Sequence, residues 1–201
     1  LLHACAHPHT QHIDPPVDWA QTCNIVYPRA VLERAAGFDD RSEVEDTDLA
    51  WRARAGGARL VGAPEVLNYH AVQPRSLAAT VRANWRWRHL PAVVALHPQM
   101  RGRGSIGRIF WKPRHARLAL AAGGLGAAVA LGRAGVGGRT HRGCLAGALA
   151  VPWVLEARPS YGSSWRGQLR ALAELPGAAA IDVCEFAALA AGSLAARTVF
   201  L

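Results

Sequence analysis

The chain has 201 residues, a formal net charge of +9 and four cysteines, Cys5, Cys23, Cys144 and Cys184. That is enough chain for one full domain, or a part-domain with an appendage. The cysteines are far apart and form no C-x-x-C pair, which argues against a disulfide framework or a zinc knuckle and fits a reducing compartment. The charge is unevenly divided: residues 1–75 hold seven Arg against ten Asp/Glu, and residues 76–201 hold sixteen Lys/Arg against four Asp/Glu. Such asymmetry points to a basic half that meets an anionic partner. That half also carries long Ala/Leu/Gly/Val runs, so a phospholipid surface fits better than nucleic acid.

The sequence opens on Leu1, with no charged n-region and no cleavage-site pattern, and reads as an internal break in a longer protein, not as a signal peptide. Residues 1–21 lack periodicity and hold His3, His7, His9 and His12 with Pro8, Pro15 and Pro16. Neutral imidazoles can bind zinc or copper, but a connecting segment is the simpler reading.

Residues 22–75 alternate between strand-like and helical patterns. Cys23, Ile25 and Tyr27 alternate with Asn24 and Val26, predicting a half-buried strand over 22–27. Pro28 suits a helix start and Gly37 a helix stop, predicting a short helix over 29–36. After the Gly37-Phe38-Asp39-Asp40 turn come Glu43, Glu45, Asp46 and Asp48, then a second helix to Ala55 that ends at Gly56-Gly57. Acidic residues at a helix start complement its dipole, which is a purely structural reason for the cluster. Two β-rich runs follow, 59–61 and 66–69, and His70 closes the second.

The pattern predicts an amphipathic helix over 76–89, with Ser76 as N-cap and with Leu77, Val81 and Trp85 on one face. Its Arg82, Arg86 and His89 share another face, which suits either a phosphate-binding or an ordinary solvated surface. Residues 98–117 are rich in Arg with Lys112 and contain no acid, the composition of a juxtamembrane segment. Two short apolar runs, 118–132 and 143–155, flank Arg133, Arg139 and Arg142; they suit a hairpin dipping into one leaflet, two marginal spans, or buried soluble helices. Residues 165–175 are amphipathic. The last run, 176–201, is long enough to span a bilayer but contains Asp182 and Glu185, which would then have to face protein or water.

The chemistry concentrates at Glu45, Asp46 and Asp48. A carboxylate poised at a loop–helix junction can serve as a general base, and an imidazole at a strand end, as at His70, can reach a divalent ion. The ordered set is more specific: T-x-N with a following aromatic and Arg, a short helix, GFDD, EDTDLAWR, a Gly-rich stop and a strand ending in His. It resembles the second half of the catalytic domain of family 2 glycosyltransferases, closely over 22–70 and loosely beyond, where the basic and apolar tail is similar to the membrane-associated tails of bacterial members.

The resemblance implies an α/β fold, an incomplete GT-A (Rossmann-like) C-terminal half followed by a helical, membrane-associated region. It divides the chain into an upstream remnant (1–21), the catalytic part (22–75), an amphipathic and basic juxtamembrane segment (76–117) and membrane-associated helices (118–201). It implies inverting transfer from a nucleotide-sugar donor to a glycan or lipid-linked acceptor, at the cytoplasmic side of the cell membrane. Asp46 would be the base, with Glu45 helping to position it or the acceptor. Asn24 would lie by the donor sugar, and Asp48, Trp51, Arg52, Arg86 and Trp87 would line the substrate site. His70 would help hold Mg²⁺ or Mn²⁺. Ala83 stands where processive members have Gln, so a polymer-extruding synthase is not implied. The nucleotide-binding half with its Asp-x-Asp motif is not in this sequence, since the only such triplet is Asp46-Thr47-Asp48. A non-catalytic membrane-associated module derived from such an enzyme is the alternative.

Overall fold

The computed structural model describes residues 16–39, 43–66, 75–102 and 105–201. In chain order these form α1 (Arg29–Arg34), α2 (Glu45–Ala55), α3 (Leu77–Asn84), α4 (Leu90–Leu96), α5 (Pro113–Arg133), α6 (Arg139–Ala157) and α7 (Trp165–Ala195). Short 3-10 turns lie at Thr22–Asn24, Trp85–His89 and Pro98–Gly102.

The α/β, Rossmann-like expectation is overturned: among the described residues there is no β-strand, only an isolated antiparallel bridge between Ile106 and Phe110. The alternation over 22–27 does not make a strand because it finds no ladder partner. Residues Thr22–Asn24 curl into a 3-10 turn, and the following chain is extended, with Val26 91% exposed. A strand needs a neighbour for its N–H and C=O groups. Residues 59–61 likewise form no strand, and 67–70 lie outside the described residues.

The helix signals hold up better. Ser76 caps α3, its Oγ accepting from the Ala79 N–H at 3.2 Å. The helix expected over 76–89 tightens into the 3-10 turn at Trp85, ahead of Pro91 at the start of α4. Proline has no N–H to donate to the carbonyl four residues earlier. The Leu90 N–H reaches the Trp87 carbonyl instead, three residues back.

The core gathers Val44 and Trp51 from around α2, Leu90, Val93 and Val94 from α4, Met100, Leu189 from α7, and Phe200. Trp19, Trp87 and Trp111 pack against it. A smaller core joins Ala35, Leu49 and Ala53 to Tyr27, Val31 and Leu32, seating α1 on α2.

Helices α5 and α6 pair as an antiparallel hairpin. Gly124 permits the close approach, since a Cβ there would lie 2.8 Å from the Leu149 side chain. Helix α7 runs continuously through Pro176, so the amphipathic stretch and the final apolar run are one element. It docks on the Trp85–His89 turn, α3 and α4, with Gly192 pressed against the Arg88 carbonyl. Its Asp182 and Glu185 are buried and turned onto the start of α5. Asp182 takes Arg114 and the Trp153 indole N–H, and Glu185 takes Lys112 at 2.8 Å and His115 at 3.1 Å. Helices α5 and α7 are long and apolar enough to cross a bilayer, by length and composition.

Candidate functional site

The acidic cluster sits on the first turn of α2, where unpaired backbone N–H groups favour negative charge. The N-cap residue is Val44, whose side chain cannot cap and is buried in the core instead. The three carboxylates meet different fates. Glu45 and Asp46 are half-buried at the helix mouth, whereas Asp48, one turn in, is only 5% exposed. Asp48 accepts from Arg52 Nε at 2.8 Å and lies 2.8 Å from His97 Nε2. His97 is itself buried and stacks on Trp51 with ring centroids 6.4 Å apart.

Arg52 is a latch. Besides Asp48, it donates to the Ala35 carbonyl and, at 2.8 Å, to the Gly37 carbonyl. Those carbonyls belong to the turn after α1, where Ala36 and Gly37 both have positive φ, 59° and 67°. The left-handed turn aims its carbonyls at the guanidinium; glycine enters that region without strain, and Ala36 does so at a cost. The spacing of Gly37 and Trp51-Arg52 thus records a clasp between the two helices.

Asp46 has no cationic partner among the described residues. Its Oδ1 accepts from the Thr47 N–H at 2.7 Å, and its Oδ2 lies 3.4 Å from the Thr22 N–H. Thr47 donates its hydroxyl to the Trp19 carbonyl at 2.8 Å, which ties the 3-10 turn region to the helix mouth. Asn24 Nδ2 is 3.4 Å from the Val66 carbonyl, so the turn also meets the chain after α2. The Tyr27 hydroxyl is buried without a hydrogen-bond partner. Burial pushes its pKa above the ordinary value, the Asp46 charge adds to the rise, and Arg54 opposes it.

The expected site residues therefore fall into separate groups. Asp46 and Glu45 stand half-buried at the mouth of α2, and Asn24 lies in the 3-10 turn whose Thr22 N–H meets Asp46. Asp48, Trp51 and Arg52 are committed to holding α2 in place. Arg86 and Trp87 lie on the 3-10 turn beneath α7, in an aromatic cluster where the Arg86 guanidinium covers the Trp87 ring at 4.7 Å. Trp87 meets Trp111 at 4.4 Å, and Trp111 meets Trp19 at 5.6 Å, with the Lys112 ammonium 4.2 Å from the Trp111 ring. His70 lies outside the described residues. Among the described residues no three His, Cys, Asp or Glu side chains converge as ligands. The Mg²⁺ or Mn²⁺ implied by the resemblance finds no ligand set within them.

Sequence reasoning missed His97 and Trp19, and it read Thr22 and Tyr27 only as parts of a motif and a strand-like run. His97 lies 49 positions from Asp48, so no local spacing announces the pair. Thr47 stood out only as the middle of the acidic triplet and, with Asp46, as a candidate cap for the second helix; the cap is Val44. No protein-family model, curated protein or solved structure matches this chain.

Proposed function

We propose that this chain carries the acceptor side of an inverting glycosyltransferase that works at an anionic membrane surface, moving a sugar from a nucleotide-sugar donor to an acceptor hydroxyl. The observation that supports it is the division of labour on α2. Asp48 is buried against Arg52 and His97, while Asp46, two residues away, has no cation among the described residues and remains half-exposed. A half-exposed carboxylate at a loop–helix junction is placed to accept a proton from a bound hydroxyl.

In the proposed reaction Asp46 removes the acceptor hydroxyl proton as that oxygen bonds to the anomeric carbon. The bond from that carbon to the diphosphate oxygen breaks, and its electron pair leaves with the nucleoside diphosphate. Attack from the face opposite the leaving group inverts the centre. Glu45, on the same helical turn, positions the acceptor, and Asn24 faces the sugar. A membrane-associated binding module without catalysis is the second reading, favoured by the commitment of Asp48 and Arg52 to the clasp between α1 and α2.

The test is Asp46→Asn in the native gene product, assayed against a panel of nucleotide sugars with membrane lipid extracts as acceptors. Turnover should fall by at least about a hundredfold, the scale of a lost general base, with the melting temperature unchanged. Retained turnover would remove Asp46 from the role. A wild-type protein inactive with every donor would leave the binding-module reading in front.

A further inference from the structure

The hairpin of α5 and α6 has no face suited to water. Residues 118–132 and 143–155 contain no charged, amide or hydroxyl side chain. A helix apolar all round belongs inside a protein or inside a bilayer. The protein does not supply the cover, for only 11% of the most apolar stretch of α5 is buried. Leu120 and Val129, nine residues apart and so roughly opposite each other around the helix, are 45% and 48% exposed. On α6, Leu145, Val151 and Leu155 are exposed as well. A hairpin lying flat on a membrane would need one polar face, and this one has none.

Charge decides how deep it goes. The tip, residues 133–142, carries Arg133, Arg139 and Arg142 without an acid, and arginine in hydrocarbon is strongly disfavoured. A hairpin ending at the bilayer midplane would bury all three. The uncharged part of α5, residues 118–132, rises about 22 Å at 1.5 Å per residue, and only the flanking turns that carry Arg117 and Arg133 bring the helix to the roughly 30 Å of a hydrocarbon core. Arginines at both ends can extend their stems toward the headgroups. The base is tied to the body by Arg114–Asp182 and Lys112–Glu185, and Arg117–Glu156 joins the two hairpin helices to each other. Helix α7 belongs with the body: Glu174, Asp182 and Glu185 are buried, and Gly192 is seated on the Arg88 carbonyl.

We infer that α5 and α6 cross an anionic phospholipid bilayer as a two-span hairpin, with α2 and α7 on one side and residues 133–142 among the headgroups of the other. Arg101, Arg108, Lys112, Arg114 and Arg117 make the body side the more basic, which places α2 toward the cytoplasm. The inference rests on the membrane part of the proposed function and is independent of sugar transfer.

Single-cysteine labelling tests it. Cys5, Cys144 and Cys184 are replaced by Ser, and two forms are compared. One keeps the exposed Cys23, and the other carries Cys23→Ser with Val136→Cys in the exposed tip. Each is expressed in bacterial membranes and treated with a membrane-impermeant maleimide. Cys23 should label only in inside-out vesicles, and the Val136→Cys form only in right-side-out vesicles. Both should stay with the membrane in alkaline carbonate. Labelling of both from the same face, or release by carbonate, would overturn the two-span hairpin; the reverse pattern would overturn the side assignment. The readout is topological, so absent sugar transfer with opposite-side labelling would count against the catalytic proposal alone.

Discussion

Asp48→Ala separates the structural carboxylate of α2 from the chemical one. The substitution removes an acceptor that serves Arg52 and His97, each 2.8 Å away. Arg52 retains the Ala35 and Gly37 carbonyls, and its side chain is 29% exposed. Its loss is therefore held to about 1 kcal/mol, the range of partly solvated pairs. His97 fares worse, because its side chain is 10% exposed and loses its Nε2 partner; a buried polar group left unsatisfied costs about 1–3 kcal/mol. Together these give roughly 2–4 kcal/mol, which in a chain of this length lowers the melting temperature by roughly 5–15 °C. The assay is thermal unfolding in detergent micelles followed by far-ultraviolet circular dichroism, with Asp46→Asn run alongside. Asp48→Ala should melt early and Asp46→Asn should melt with the wild type. A double variant with His97→Ala should lose less than the two single losses combined, because the partners are in contact. An Asp48→Ala melt within about 2 °C of wild type, less than about 1 kcal/mol on this scale, would refute the assignment of Asp48 to the support of α2.

Gly192→Ala should detach α7 from the body. The added Cβ would lie 2.0 Å from the Arg88 carbonyl oxygen and 3.0 Å from Pro91, and a backbone oxygen cannot rotate away. A loss of about 3 kcal/mol is expected, read as earlier melting and faster proteolysis between α4 and α7. Gly126→Ala, with nothing within 4 Å of its Cβ position, serves as the neutral control. Tyr27 predicts an alkaline limb. Its folded pKa is raised by burial and then by Asp46, so above the unfolded value the native state holds the proton longer. Its contribution is fully present below the ordinary tyrosine range near pH 10 and is lost as pH rises through the folded pKa. Tyr27→Phe should flatten the fall in melting temperature above that range, and Asp46→Asn should shift the Tyr27 ultraviolet titration to lower pH. An unchanged titration in Asp46→Asn would show that the two groups do not sense each other.

Much of the helical plan was legible because its signals are local. Ser76 caps where its hydroxyl can reach the Ala79 N–H, and Gly37 and Gly56 stand at helix ends, where they were expected. The acidic cluster landed on the first turn of α2 because the dipole rewards it there. Pro176 misled: it split one helix into two on paper, whereas the helix continues through it, held by packing further along at Ala188, Leu189 and Gly192. The strand expectation failed at residues 22–27 for a different reason. Alternation describes a surface half-buried by neighbours, and the described residues supply no neighbour.

The sequence by itself determined the division between an acidic unit and a basic, apolar one, the two uncharged runs with arginines between them, and the need for Asp182 and Glu185 to meet protein or water. These follow from transfer free energies and helix geometry, which depend on composition and spacing alone. Only the tertiary structure decided that Asp48 is spent on Arg52 and His97 while Asp46 is left open, that Trp19, Trp111 and Trp87 form one aromatic chain, and that α7 belongs to the body despite its length and apolarity. Those outcomes depend on contacts between residues tens of positions apart, whose energies exist only once the chain has closed the loops that bring them together.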